Sequence, residues 1–251
     1  MMHYLSTKLL IVAALVALLL SACQPVQPES AQQVELQLVS HIAAGMAEQD
    51  VYVAKPEAAG EVFRITGDEA DAYMDAPVYA AQESIAHDLF GLSDNPVGPY
   101  LQGAPMGFTL REWLAAGATG AYTVQGEQAT IDLTFANLVP NGVYTMWCAT
   151  VNTPPNVSIV DKPCGAADGS ENLFTADADG NATFHLTMTP LVDTTETSLQ
   201  VIAAAYHSDG KSYGALPGDF GLNSHVQIAA IVPAPNSEAW QTVTDSSVAM
   251  R

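Results

Sequence analysis

The stretch ATIDLTF, residues 129–135, alternates without a fault: Ala129, Ile131, Leu133 and Phe135 on one side, Thr130, Asp132 and Thr134 on the other. A period of two places one row of side chains on each face of an extended chain, so this is a strand with one buried face. Similar texture continues on both sides. GAYTVQG (120–126) precedes it and NLVPNGVYTMWCATV (137–151) follows, with a turn at Pro140-Asn141-Gly142. NLFTADADGNATFHLTM (172–188) reads as a hairpin turning at Asp179-Gly180. TSLQVIAAAYH (197–207) and SHVQIAAIV (224–232) carry small or apolar residues on both faces, as strands covered twice do. Together these are six strands, or seven with residues 120–126, and they predict a mainly β chain built as an antiparallel β-sandwich, Ig-like or similar.

Upstream the pattern is mixed. Thr109-Leu-Arg-Glu112 is a capping box, with Leu110, Trp113 and Leu114 as an apolar face, and predicts one short helix near 109–116 ended by a left-handed Gly117. VELQLVSHIA (34–43) fits a strand or a short helix, and Ile85, Leu89 and Leu92 have helical spacing. Pro96, Gly98, Pro99 and Gly103 then break any regular element. Residues 34–103 are thus expected as an irregular N-terminal extension packed on a main domain, 104–233, followed by a flexible tail, 234–251.

The N-terminus carries an address. Lys8 precedes an apolar run, Leu9 to Leu20, that suits a signal-peptide core better than a membrane span. Leu20-Ser21-Ala22-Cys23 then resembles the lipobox of bacterial lipoproteins. That resemblance implies a signal peptide over 1–22 cleaved just before Cys23, diacylglycerol (palmitate-bearing) on the Cys23 thiol, and a membrane anchor facing the extracytoplasmic side of the cell envelope. The Pro-, Gln- and Ser-containing stretch 23–33 reads as a tether. The two remaining cysteines, Cys148 and Cys164, are expected to form a disulfide bond in an oxidising compartment.

Composition bounds the partners. Seven Lys and Arg stand against 27 Asp and Glu in 251 residues, a formal net charge of −20. Such a surface repels phosphate backbones, which excludes nucleic acid as an expected partner. The chain lacks G-x-S-x-G, H-E-x-x-H, C-x-x-C, Walker and G-x-G-x-x-G motifs, and no cofactor is implied. Asp177-Ala-Asp179-Gly180-Asn181 begins like a calcium loop, but Met188 stands where the bidentate Glu belongs. Asp161, Asp168 and Glu171 form an acidic run beside Cys164.

The sharper candidate is YHSDGKSYGALPGDFGLNSH, residues 206–225. Its long Gly-rich loop joins two strands and offers His207, Asp209, Tyr213, Asp219 and His225 as candidate binding residues. The first expectation is a non-catalytic binding or structural role toward an unknown envelope ligand or protein. The alternative is a metal-binding protein or metal-dependent enzyme using His207 and His225, completed by His185, Asp209 and Asp219.

The segments NLVPNGVYTMWC, PCGAADGSENLFTADADGNATFHL and AYHSDGKSYGALPGDFGLNSHVQI, within Pro105–Ile228, resemble a family of uncharacterised exported bacterial lipoproteins. The resemblance implies an exported domain of β-sandwich type and transfers no site residues.

Overall fold

The structure is a computed structural model that describes residues 30–46, 50–235 and 237–243. The leader, Cys23 and most of the tether therefore lie outside the described residues. Among the described residues no helix is long and apolar enough to cross a membrane.

The chain is mainly β, and its sheets are antiparallel. One sheet is ordered β11-β7-β6-β1-β14, from Ala182–Met188, Gln128–Ala136, Gly117–Gln125, Ala31–Leu38 and Trp240–Val243. The other is ordered β10-β8-β12-β13, from Leu173–Thr175, Val143–Asn152, Ser198–His207 and Ser224–Val232, with β9 (Ser158–Val160) also paired to β8. The buried row of β7 meets Val34, Leu36 and Leu38 of β1 and Phe184 and Leu186 of β11 in a core closed from the second sheet by Met146, Ile202, Ala204 and Ile228. This is the face-to-face packing that alternation demands.

β12 and β13 are buried on both faces because the second sheet has a second cover. Trp147, Val201, Ala203, Ala205 and Val226 on its outer face lie under Met46, Leu89, Phe90, Ile159 and Phe220. Between Ala205 and Ala204 the pairing jumps from Val226 to Ile228, so Gln227 is an extra residue in β13. That bulge turns Gln227 inward, where it accepts from the Tyr144 hydroxyl at 2.7 Å and donates to the Trp113 carbonyl at 3.1 Å. The buried amide is thus satisfied.

Residues 52–109 hold a small closed barrel, β2-β3-β5-β4, from Tyr52–Ala54, Glu61–Phe63, Tyr100–Thr109 and Pro77–Ala81. A short α1, Ala70–Tyr73, precedes β4, and α2, Leu110–Leu114, follows β5. The capping box forms as expected: Thr109 accepts from the Glu112 amide, and the Glu112 carboxylate accepts from the Thr109 amide. Trp113 of α2 is fully buried and stacks on Phe108, with Tyr206 and His225 at its edges.

Several expectations are corrected. The boundary at Val34 falls inside β1, the boundary after Gly103 falls inside β5, and Trp240–Val243 of the expected tail pair with β1 as β14. Much of the "irregular extension" is the barrel. Ile85, Leu89 and Leu92 form no helix: the Asp88 carboxylate takes the Leu92 and Ser93 amides into a turn, and Leu92 is exposed. Gly117 does not adopt a left-handed conformation; it begins β6. At Pro140-Asn141-Gly142 the positive φ of 56° belongs to Asn141, and the Gly142 amide bonds the Val139 carbonyl at 2.9 Å. The Asp177–Asn181 turn is present, with the Asp177 carboxylate accepting from the Asp179 and Asn181 amides. It does not join a hairpin. β10 pairs with β8 and β11 with β7, so the turn arches from one sheet to the other. Bonds from Leu138 to Gly180 and from Ala176 to Gly142 hold it there.

Candidate functional site

The loop 208–223 leaves β12 and re-enters β13 on the end of the sandwich that carries the barrel. His207 faces Ser224 across the strands, while His225 faces Tyr206. The two histidines are thus one step out of phase and leave opposite faces of the sheet. His207 Nε2 lies 2.7 Å from Thr145 Oγ1, which also accepts from Trp147 Nε1 at 2.8 Å. Burial pushes His207 down to about 4, so it is neutral near pH 7. His225 Nδ1 lies 2.7 Å from the Asp50 carbonyl and Nε2 lies 3.0 Å from Ser208 Oγ. A carbonyl only accepts, which places the proton on Nδ1 and makes the Ser208 hydroxyl the donor to Nε2. Burial lowers His225 as well.

The acidic residues of the loop organise it. The Asp209 carboxylate accepts from the Lys211 amide at 3.1 Å and from the Tyr213 hydroxyl. That hydrogen bond pushes Tyr213 up to about 12. The Asp219 carbonyl takes the amides of Leu222, Asn223 and Ser224, and the Asp219 amide donates to Asn223 Oδ1 at 2.9 Å. Bonds from Ala81 to Gly221 and from Ile85 to Phe220 tie the loop to the barrel side of the molecule.

The Cys148–Cys164 disulfide is formed, with Cα atoms 5.0 Å apart. It roots a second loop, which reaches the first. A Cβ on Gly169 would collide with the Gly214 carbonyl, so two backbones meet where only glycine fits. The acidic run beside Cys164 is dispersed: Asp168 accepts from the Ser170 amide and hydroxyl, and Glu171 accepts from the Ala166 amide. Asp161 lies apart from both, and burial raises it. His185 also stands elsewhere, on the outer face of the first sheet, 2.6 Å from Asp132. Among the described residues no group of three or more His, Cys, Asp or Glu is arranged to hold a metal ion. The convergence of His207, His225 and His185 that a metal would need is absent from this geometry.

No protein-family model, curated protein or solved structure matches this chain.

One polar cluster has no counterpart in the sequence reading. Asp50 is buried beneath the loop; one carboxylate oxygen accepts from the Val226 amide at 2.9 Å, and the other lies 3.7 Å from His87 Nδ1. Burial pushes this carboxyl up, but His87, His41, the Val226 amide and Arg64 together hold it below the usual carboxylate range. Arg64 is itself buried, donating to the Pro96 and Ala86 carbonyls. These residues come from segments far apart in the chain, and no local spacing marks them.

Proposed function

We propose that this chain is a lipid-anchored cell-envelope protein, acylated at Cys23, with a non-catalytic binding role toward an envelope ligand or protein. The observation that supports this reading is the joined edge of two loops. Gly169 against Gly214 sets the Cys164 loop and the 208–223 loop side by side, both ordered by carboxylate-to-amide bonds. The edge presents Lys211 and Leu216, the latter 69% exposed, beside Asp168 and Asp209. A mixed apolar and charged surface on a rigid scaffold suits recognition. His207 and His225 support it from below through hydrogen bonds to Thr145, Asp50 and Ser208.

Two measurements test the proposal. Cells expressing the chain and fed an alkyne-bearing palmitate should label the wild type and not Cys23→Ser. A photo-crosslinking residue at position 216 should give a discrete envelope adduct, and the same residue at position 92, also exposed, should not. An unlabelled wild type removes the anchor. Equal or absent adducts at both positions remove the binding edge.

A further inference from the structure

The opposite end of the sandwich carries a groove. Register places Ala31, Val124, Met188, Val232 and Val243 together there, away from the barrel and the 208–223 loop. At this end Pro190 to Thr194, after β11, face Pro233, Pro235 and Ser237, which lie between β13 and β14 in the chain. The space left between these segments is about 650 Å³. That is the size range of small-molecule sites.

Its walls have a definite chemistry. Tyr122 forms the inner surface and Trp240 stands edge-on to it, ring centroids 6.0 Å apart. Trp240 is held by its own indole N–H, which donates to the Pro233 carbonyl at 3.3 Å. The Tyr122 hydroxyl accepts from the Leu191 amide at 2.8 Å, leaving its own hydrogen to be donated. Ser237 Oγ is buried and has no hydrogen-bond partner among the described residues. Among the described residues the only lining group charged near neutral pH is the Asp193 carboxylate. Its charge adds to burial in raising the Tyr122 hydroxyl, which stays protonated as a donor. The Trp240 ring, the Asp193 carboxylate and the Ser237 hydroxyl suit an organic cation that also carries a hydrogen-bonding group, while Tyr122, only 2% exposed, backs Trp240 from the core. The net charge of −20 raises the local concentration of such cations.

We infer that this groove binds a small quaternary ammonium compound bearing a hydroxyl group, its cationic head against Trp240 and Asp193 and its hydroxyl toward Ser237. The site is separate from the loop edge and does not depend on the anchor.

Calorimetric titration of the purified full chain in non-ionic detergent tests this, with choline chloride as the probe. The comparison ligand is its uncharged isostere, in which carbon replaces the quaternary nitrogen. Choline should bind saturably and the isostere should not. Trp240→Leu should weaken choline by about tenfold and Asp193→Asn by about threefold, with melting unchanged in the second variant. Asp71→Asn, on α1, should leave binding as it is. No saturable heat from choline, equal binding of the isostere, or unchanged affinity in Asp193→Asn with normal melting would overturn the inference.

Discussion

Asp50 shows how much can rest on one side chain. Its carboxylate is the anion among His87, His41 and Arg64, and it also holds the Val226 amide at the β13 bulge. Asp50→Asn keeps the shape but leaves the basic groups without their counter-charge. We expect a loss of about 3–5 kcal/mol in denaturant unfolding, the scale of breaking a buried charge pair from one side. Because the folded carboxyl is held below its unfolded value near 4, its contribution is present above that pH and lost as pH falls further. His207 and His225 act earlier in an acid titration. Both are depressed in the fold, so the unfolded chain takes their protons first, from about pH 6.5 downward. The melting temperature should therefore fall as pH drops from about 6.5 to 4, and His207→Gln should flatten part of that slope. An unchanged slope in that variant would mean another group carries it. The histidines were legible as notable residues, but their role was not. Sequence spacing allowed two imidazoles at adjacent strand ends; only the one-residue offset in register shows that they face apart. Asp50 and His87 gave no signal at all, because their meeting depends on the docking of distant segments.

Individual elements were legible where a local rule governs them. The capping box at Thr109–Glu112 was readable because both of its hydrogen bonds lie within four residues. Thr109→Ala should cost about 1 kcal/mol, with the loss visible as faster amide exchange in Leu110–Leu114. Alternation likewise marked β7, and the doubly covered texture marked β12 and β13. The Asp177–Asn181 segment shows the limit of such rules. Its chemistry specifies a tight reversal, and a reversal is compatible with either a hairpin or an arch. Which one forms depends on whether the flanking strands find each other or find β8 and β7, and that competition is nonlocal. The spacing of Ile85, Leu89 and Leu92 misled for a related reason. Ile85 packs in the barrel cluster and Leu89 on the outer face of the second sheet, so their apolar character serves two surfaces rather than one helical stripe.

At the scale of the whole molecule the Cys148–Cys164 bond is a local staple, closing a separation of 16 residues. Replacing both cysteines by alanine should lower stability by about 3 kcal/mol without unfolding the chain, measured as a shift in denaturant midpoint. A complete loss of folded protein would show that the bond does more than restrict the unfolded state. The larger organisation was only partly visible. The sandwich followed from alternating strands and turns, whereas the barrel did not, since its short strands carry little periodicity. The groove at Tyr122 and Trp240 was also hidden, because its two rings lie over one hundred positions apart.

The Gln32 amide reaches the Thr242 hydroxyl across 210 positions, as β14 lies down beside β1. A pairing of that span closes the longest loop available to the described chain, and long-range strand pairing is intrinsically slow. The first sheet therefore cannot acquire β14 until synthesis has passed Val243. Until then the border of β1 away from β6 is unpaired, and such a border is open to pairing with another chain.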